Sequence, residues 1–148
     1  MGYDLYRADH PILRGEGAVA TEAPDDARYL RLDVGAMERV REALANVGVL
    51  NESYLRPLIP TEGAERDRAL RIQAPEGEGV PLFKLCFNDG AWLSERECAL
   101  TAAGLRAMLG ATRAKLEPLE HERELFALLE SFVVFCEGCA AAGGFFVH

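Results

Sequence analysis

Apolar and polar positions between Val80 and Gly110 change period in a way that divides the segment into successive elements. Leu82-Phe83-Lys84-Leu85-Cys86-Phe87 is an apolar, aromatic-rich run too short for a stable helix, and it predicts a mostly buried strand. Asn88-Asp89-Gly90 ends that run. Asn and Asp tolerate left-handed backbone, and Gly90 supplies a positive φ without a Cβ clash, so a hairpin into Ala91-Trp92-Leu93 is expected. Ser94-Glu95-Arg96-Glu97 then has capping-box spacing, with each terminal side chain placed to bond the other's amide. A helix should start at Glu95. Cys98, Thr101, Leu105 and Met108 recur at helical spacing, and Gly110 stands where a C′ glycine would end the helix.

The rest of the chain divides by the same rules. Gly2 to Arg7 predicts an opening strand, His10 to Asp26 a Pro/Gly/acidic loop, and Arg28 to Asp33 a half-buried strand. Met37, Val40, Leu44 and Val47 share one face of a helix expected over 36–47, with Gly48 as its stop. Pro57, Pro60 and Gly63 make 51–68 an extended loop, a place to look for a binding edge. A strand is expected over 69–73. A third helix, the longest, is expected over 119–142, with Leu125, Leu129, Phe132, Cys136 and Cys139 on one stripe. Gly143-Gly144 breaks it, and Phe145-Phe146-Val147 predicts a last strand docked in a sheet. Strands interleaved with helices of unequal length predict one α+β domain over residues 1–148: a mostly antiparallel sheet of four to six strands carrying three helices.

Composition sharpens this only in part. A chain of 148 residues buries about 70 % of its unfolded surface, so it forms a core without staples. No apolar run approaches the roughly 20 residues that span a bilayer, and Met1-Gly2-Tyr3-Asp4-Leu5 has no basic n-region, so a cytoplasmic protein with reduced thiols is expected. The net charge of −8 argues against nucleic acid and anionic membranes as partners, since both recruit basic surfaces. It leaves room for a basic protein partner. The acids are scattered through 16–26, 62–67 and 76–78, which fits simple solubility as well.

Catalytic grammar is thin. Cys136-Glu137-Gly138-Cys139 lies inside a helix near its C-terminal end, whereas redox pairs use the N-terminal dipole, and Cys86 and Cys98 supply no second ligand pair. Buried small hydrophobes are the expected roles, with no metal and no cofactor. His10, His121 and His148 form no ligand pair, and no nucleophile elbow is present. Gly15-Glu16-Gly17 and Gly77-Glu78-Gly79 read as turns, because their glutamates would repel phosphate, and Glu120, Glu122 and Glu124 as a solvated helix face.

The candidate binding site is the tip Asn88, Asp89, Gly90 and Trp92, which sets two polar side chains and the only Trp beside a helix start. A core role for the indole is the competing reading. With the 51–68 loop, the tip would form the edge that meets a partner. The expected function is a noncatalytic protein-binding module, an antidote or a regulator; the alternative is a small enzyme whose site joins distant residues such as Asp89, Cys86 and a histidine.

The Met1-Gly2-Tyr3-Asp4 opening, Tyr29-Leu30-Arg31-Leu32, the segment from Asn88 through Trp92 to Glu97, and the Ala142-Gly143-Gly144-Phe145 ending together resemble a family of small uncharacterised bacterial proteins. The resemblance covers most of the chain. It implies a compact bacterial cytoplasmic domain and transfers no catalytic residue; the Cys136/Cys139 pair is not part of the pattern.

Overall fold

A computed structural model describes residues 2–14, 26–54, 56–113 and 119–148. Four strands, β1 (Gly2–Arg7), β2 (Tyr29–Asp33), β5 (Ala91–Leu93) and β6 (Phe145–Val147), form an antiparallel sheet in the order β2-β1-β6-β5. The short strands β3 (Leu50–Asn51) and β4 (Val80–Pro81) pair in parallel beside it. Helices α1 (Val34–Asn46), α3 (Glu95–Arg113) and α4 (Glu120–Ala140) share one apolar cluster with the large sheet; a fourth helix, α2, spans Gly63–Leu70. Alternation does the sorting: Leu5, Leu32, Ala91, Leu93, Phe145 and Val147 are all buried on the helix side, where Phe145 lies 5.2 Å from Phe135 and 6.4 Å from Phe132, ring to ring. The architecture is α+β and compact, as the interleaved pattern predicts.

Where local chemistry is decisive, expectation and structure agree. Ser94 N donates to Glu97 Oε1 at 3.0 Å and Glu97 N to Ser94 Oγ at 3.2 Å, the full reciprocal box, and α3 begins at Glu95. At α1 the stop agrees, with Gly48 beyond the helix at φ +75°, but the start lies at Val34 rather than Ala36, because the Asp33 carboxylate accepts from Ala36 N at 2.7 Å and caps the helix there.

Four expectations need correction. The run 82–87 is not a strand: after β4 it forms a 3₁₀ turn, Leu82–Leu85, in which Phe83, Lys84 and Leu85 are all buried. A strand would send Lys84 to the face opposite its neighbours, whereas the tight turn keeps all three inside. Arg41 Nη1 donates to Leu85 O at 2.7 Å and Tyr3 Oη to Cys86 O at 3.2 Å, holding the turn to α1 and β1. Consequently 88–90 does not close a hairpin; Gly90 takes φ +95° as expected, but its amide donates to Val147 O at 2.7 Å and the chain enters β5 beside β6. The expected 51–68 loop gives way to α2 from Gly63, which also displaces the 69–73 strand, because Ala64 to Leu70, Asp67 apart, favour a helix and only Leu70 is buried, leaving little amphipathic signal. Finally, α3 runs through Gly110 to Arg113 instead of stopping at the glycine, and with α2 the α-helices among the described residues number four rather than three. The Gly15-Glu16-Gly17 turn and the acids Glu16, Glu22 and Asp25 lie outside the described residues.

The glycines therefore differ in what they tolerate. Gly144 has φ +82°, and a Cβ there would stand 1.9 Å from Leu93 O, whereas at Gly110 a Cβ would meet nothing within 4 Å. Gly144→Ala should cost on the order of 3 kcal/mol or more, and Gly110→Ala should gain about 1 kcal/mol. Urea unfolding of the two variants checks both signs; a destabilised Gly110→Ala would restore the helix stop at that position.

Candidate functional site

The sheet face turned away from α1, α3 and α4 carries a row of rings. Register aligns Trp92 with Phe146, Phe146 with Tyr6, and Tyr6 with Tyr29, so one half-buried aromatic residue from each of the four strands stands in line. Tyr6 lies 5.2 Å from Tyr29 and 5.8 Å from the His148 ring. At the Tyr29 end, buried His10 packs 5.0 Å from Tyr6 and its Nδ1 accepts from Ile12 N at 3.2 Å. Asp26 lies beside it, 3.9 Å from His10 Nε2, and its carboxyl is held down at about 2 by hydrogen bonds from Arg28. Tyr29 Oη donates to Asp4 Oδ1 at 2.6 Å; burial first, then this bond, push the phenol up to about 12. Arg31 Nη1 donates to the same oxygen at 3.0 Å. A polar rim thus borders the rings.

At the Trp92 end the row opens on a cavity of about 410 Å³ walled by Leu13, Arg66, Asp67, Leu70, Arg71, Asp89, Gly90, Phe146 and His148, with Ala8. Its chemistry is arginine over aromatic. The Arg71 guanidinium lies 5.2 Å from the ring centroids of both Trp92 and Phe146. Arg66 Nη1 donates to Pro60 O at 3.0 Å and its Nη2 to Asp89 O at 2.8 Å, while the Asp89 carboxylate is ion-paired with Arg56, itself 4.3 Å over the Phe87 ring.

Of the residues singled out in the sequence, Asp89 and Gly90 line this cavity, Trp92 flanks it, and Asn88 is exposed and stands outside it. Trp92 belongs to neither simple reading: it is half-buried, its Nε1–H donates to Gly143 O at 2.9 Å, and one ring face carries Arg71. Segment 51–68 does meet the tip, through Arg56 and Arg66. Sequence reasoning missed Arg71, Phe146 and His148, which reach the site through pairing of β5 with β6 and through α2. Alternation in Phe145-Phe146-Val147 was the available signal for Phe146, since its buried neighbours force it to the other face.

Other groups with chemical potential are closed off. Lys84 and Glu97 are both 0 % exposed and bonded at 2.7 Å, with burial pushing the Lys84 ammonium below its ordinary pKa and Glu97 opposing that shift. Neither lines a cavity among the described residues. Glu97 Oε2 and Thr101 Oγ1, one helical turn apart, are buried without hydrogen-bond partners among the described residues. Cys98, Cys136 and Cys139 are buried in the core, and burial raises all three thiols, Cys139 to about 12. Cys86 is half-buried, raised by burial against the opposing pull of Arg41. Among the described residues no group of three or more His, Cys, Asp and Glu is arranged to hold a metal ion, and no helix is long and apolar enough to cross a membrane.

No protein family matches the sequence, and neither does any curated protein or any solved structure. The site is therefore read from its own geometry.

The thiols give a direct check on the core. Alkylation of the native protein with iodoacetamide, mapped by mass spectrometry, should label Cys86 slowly, and Cys98, Cys136 and Cys139 only after unfolding. Prompt labelling of Cys136 or Cys139 in the folded protein would contradict their placement.

Proposed function

We propose that this chain is a noncatalytic binding module that docks a protein partner on the aromatic face of its sheet, in the manner of an antidote or a regulator. The observation that carries the reading is the row Trp92, Phe146, Tyr6 and Tyr29 set in a rim of Asp4, Arg31, Arg71 and Asp89. Half-exposed aromatic anchors within a polar border are what protein interfaces concentrate, because they bury large area at low entropy cost while the rim supplies register. The enzyme alternative has less support. Asp89's carboxylate is committed to Arg56, Cys86 does not line the cavity, and its thiol is raised rather than activated. Net acidity disfavours nucleic acid as the partner, and the resemblance to a bacterial family fits a bacterial cytoplasm.

Immobilised parent, Trp92→Ala and Asp89→Ala proteins, each checked for intact thermal unfolding, should be compared for proteins retained from a lysate of the cells of origin. The reading expects a partner held by the parent and lost, by about tenfold or more in retained amount, from the Trp92 variant, as for an interface anchor. Two folded variants that retain the same proteins as the parent would remove the surface assignment.

A further inference from the structure

Arg71 is the arginine at the cavity that the protein itself does not use up. Arg56 is tied to a carboxylate and Arg66 to two carbonyls, whereas no described residue accepts a hydrogen bond from the Arg71 side chain. It is nevertheless not a loose surface group. Its guanidinium carbon lies 5.2 Å from the ring centroids of both Trp92 and Phe146, and a guanidinium placed over two rings keeps its fork of N–H donors for a planar oxyanion that can take two parallel bonds. The surrounding wall is apolar on one side, through Leu13, Leu70 and Phe146. A cavity of about 410 Å³ lies within the size range of sites that take a small group or one side chain with its neighbour.

Charge sets the valence of the occupant. Arg66 and Arg71 line the cavity with Asp67 and Asp89, and Arg56 neutralises Asp89 from outside the lining, so this group of five side chains carries one net positive charge in a chain whose net charge is −8. Asp67 on the wall has no ion-pair partner among the described residues, so a dianion meets repulsion that a monoanion escapes more readily. Resting on the docking surface described above, we infer that this cavity receives the carboxylate of an acidic side chain in the partner protein, paired with Arg71, while an apolar neighbour of that side chain lies on Phe146 and Leu70. Net charge alone pointed toward a basic partner; the uncommitted donor at the face selects an acidic segment instead.

The probes are acetyl-Leu-Glu-Leu-amide, its counterpart with Gln in place of Glu, and inorganic phosphate, titrated into ¹⁵N-labelled protein. Trp92 is the only tryptophan, so its indole N–H resonance reports the site unambiguously. The Glu peptide should shift that resonance saturably and bind about tenfold more tightly than the Gln peptide, the difference between a charge-assisted and a neutral hydrogen-bonded contact. Phosphate should bind more weakly than the Glu peptide, and Arg71→Gln should abolish the preference for Glu over Gln. Equal binding of the two peptides, tighter binding of phosphate, or an undiminished preference in folded Arg71→Gln would overturn the inference. If that variant does not fold, the two peptides on the parent protein decide. Loss of the carboxylate preference while partner retention still depends on Trp92 removes this inference and leaves the surface reading intact; loss of both removes the surface as well.

Discussion

One carboxylate oxygen, Oε1 of Glu97, does two things at once: it accepts from Ser94 N at 3.0 Å to cap α3, and it accepts from Lys84 Nζ at 2.7 Å. Both side chains are sealed from solvent, and an uncompensated charge there would cost several kcal/mol. The pairing therefore constrains everything around it. Lys84 must point inward, which turns 82–85 into a 3₁₀ segment rather than a strand. The end of that turn is then tied to Arg41 and Tyr3, and the chain reaches β5 at the register that places Trp92 beside Phe146. A buried ion pair need not add net stability over an apolar substitute, but it penalises any arrangement in which the partners separate.

The proposed binding face is the reverse side of the same sheet. In β6, Phe145 and Val147 enter the core while Phe146 joins the aromatic row, so a single three-residue strand serves both layers. Gly143 and Gly144 make that strand possible: both have positive φ, and Gly144 passes so close to Leu93 that no side chain fits. Trp92 also depends on this turn, because its Nε1–H bonds Gly143 O. Core, turn and candidate site are thus physically coupled, and substitutions at the glycines should disturb the recognition face as well as the fold.

What the sequence made legible was local. Ser94 and Glu97 announce the start of α3 because the capping box closes within four residues, and the alternation in 145–147 announces a strand because both core neighbours are large and apolar. The 82–87 run was misread because a short apolar stretch has no period of its own; only Lys84, a charge amid hydrophobes, hinted that the backbone must bring it to a partner thirteen residues on. Helix α2 was hidden by flanking Pro60 and Gly63 and by having one buried side chain. At the candidate site, Asp89, Gly90 and Trp92 were visible as a turn with an aromatic neighbour. Arg71, Phe146 and His148 were not: pairing of β5 with β6 across more than fifty residues brings Phe146 and His148 there, the unannounced helix α2 brings Arg71, and nothing in the pattern of a single segment encodes that register.

A double-mutant cycle at Lys84 and Glu97 tests the central constraint most directly. Glu97→Gln keeps an oxygen acceptor for Ser94 N and removes the charge; Lys84→Met removes the ammonium at similar length. Urea unfolding, with unchanged denaturant slope confirming a common folded state, measures each corner. The account predicts that Lys84→Met alone loses about 3–5 kcal/mol by stranding a buried carboxylate. It predicts that the double variant loses less than the two single losses together, by at least about 1 kcal/mol. A Lys84→Met loss below about 1 kcal/mol, or single losses that add to within about 0.5 kcal/mol, would contradict it.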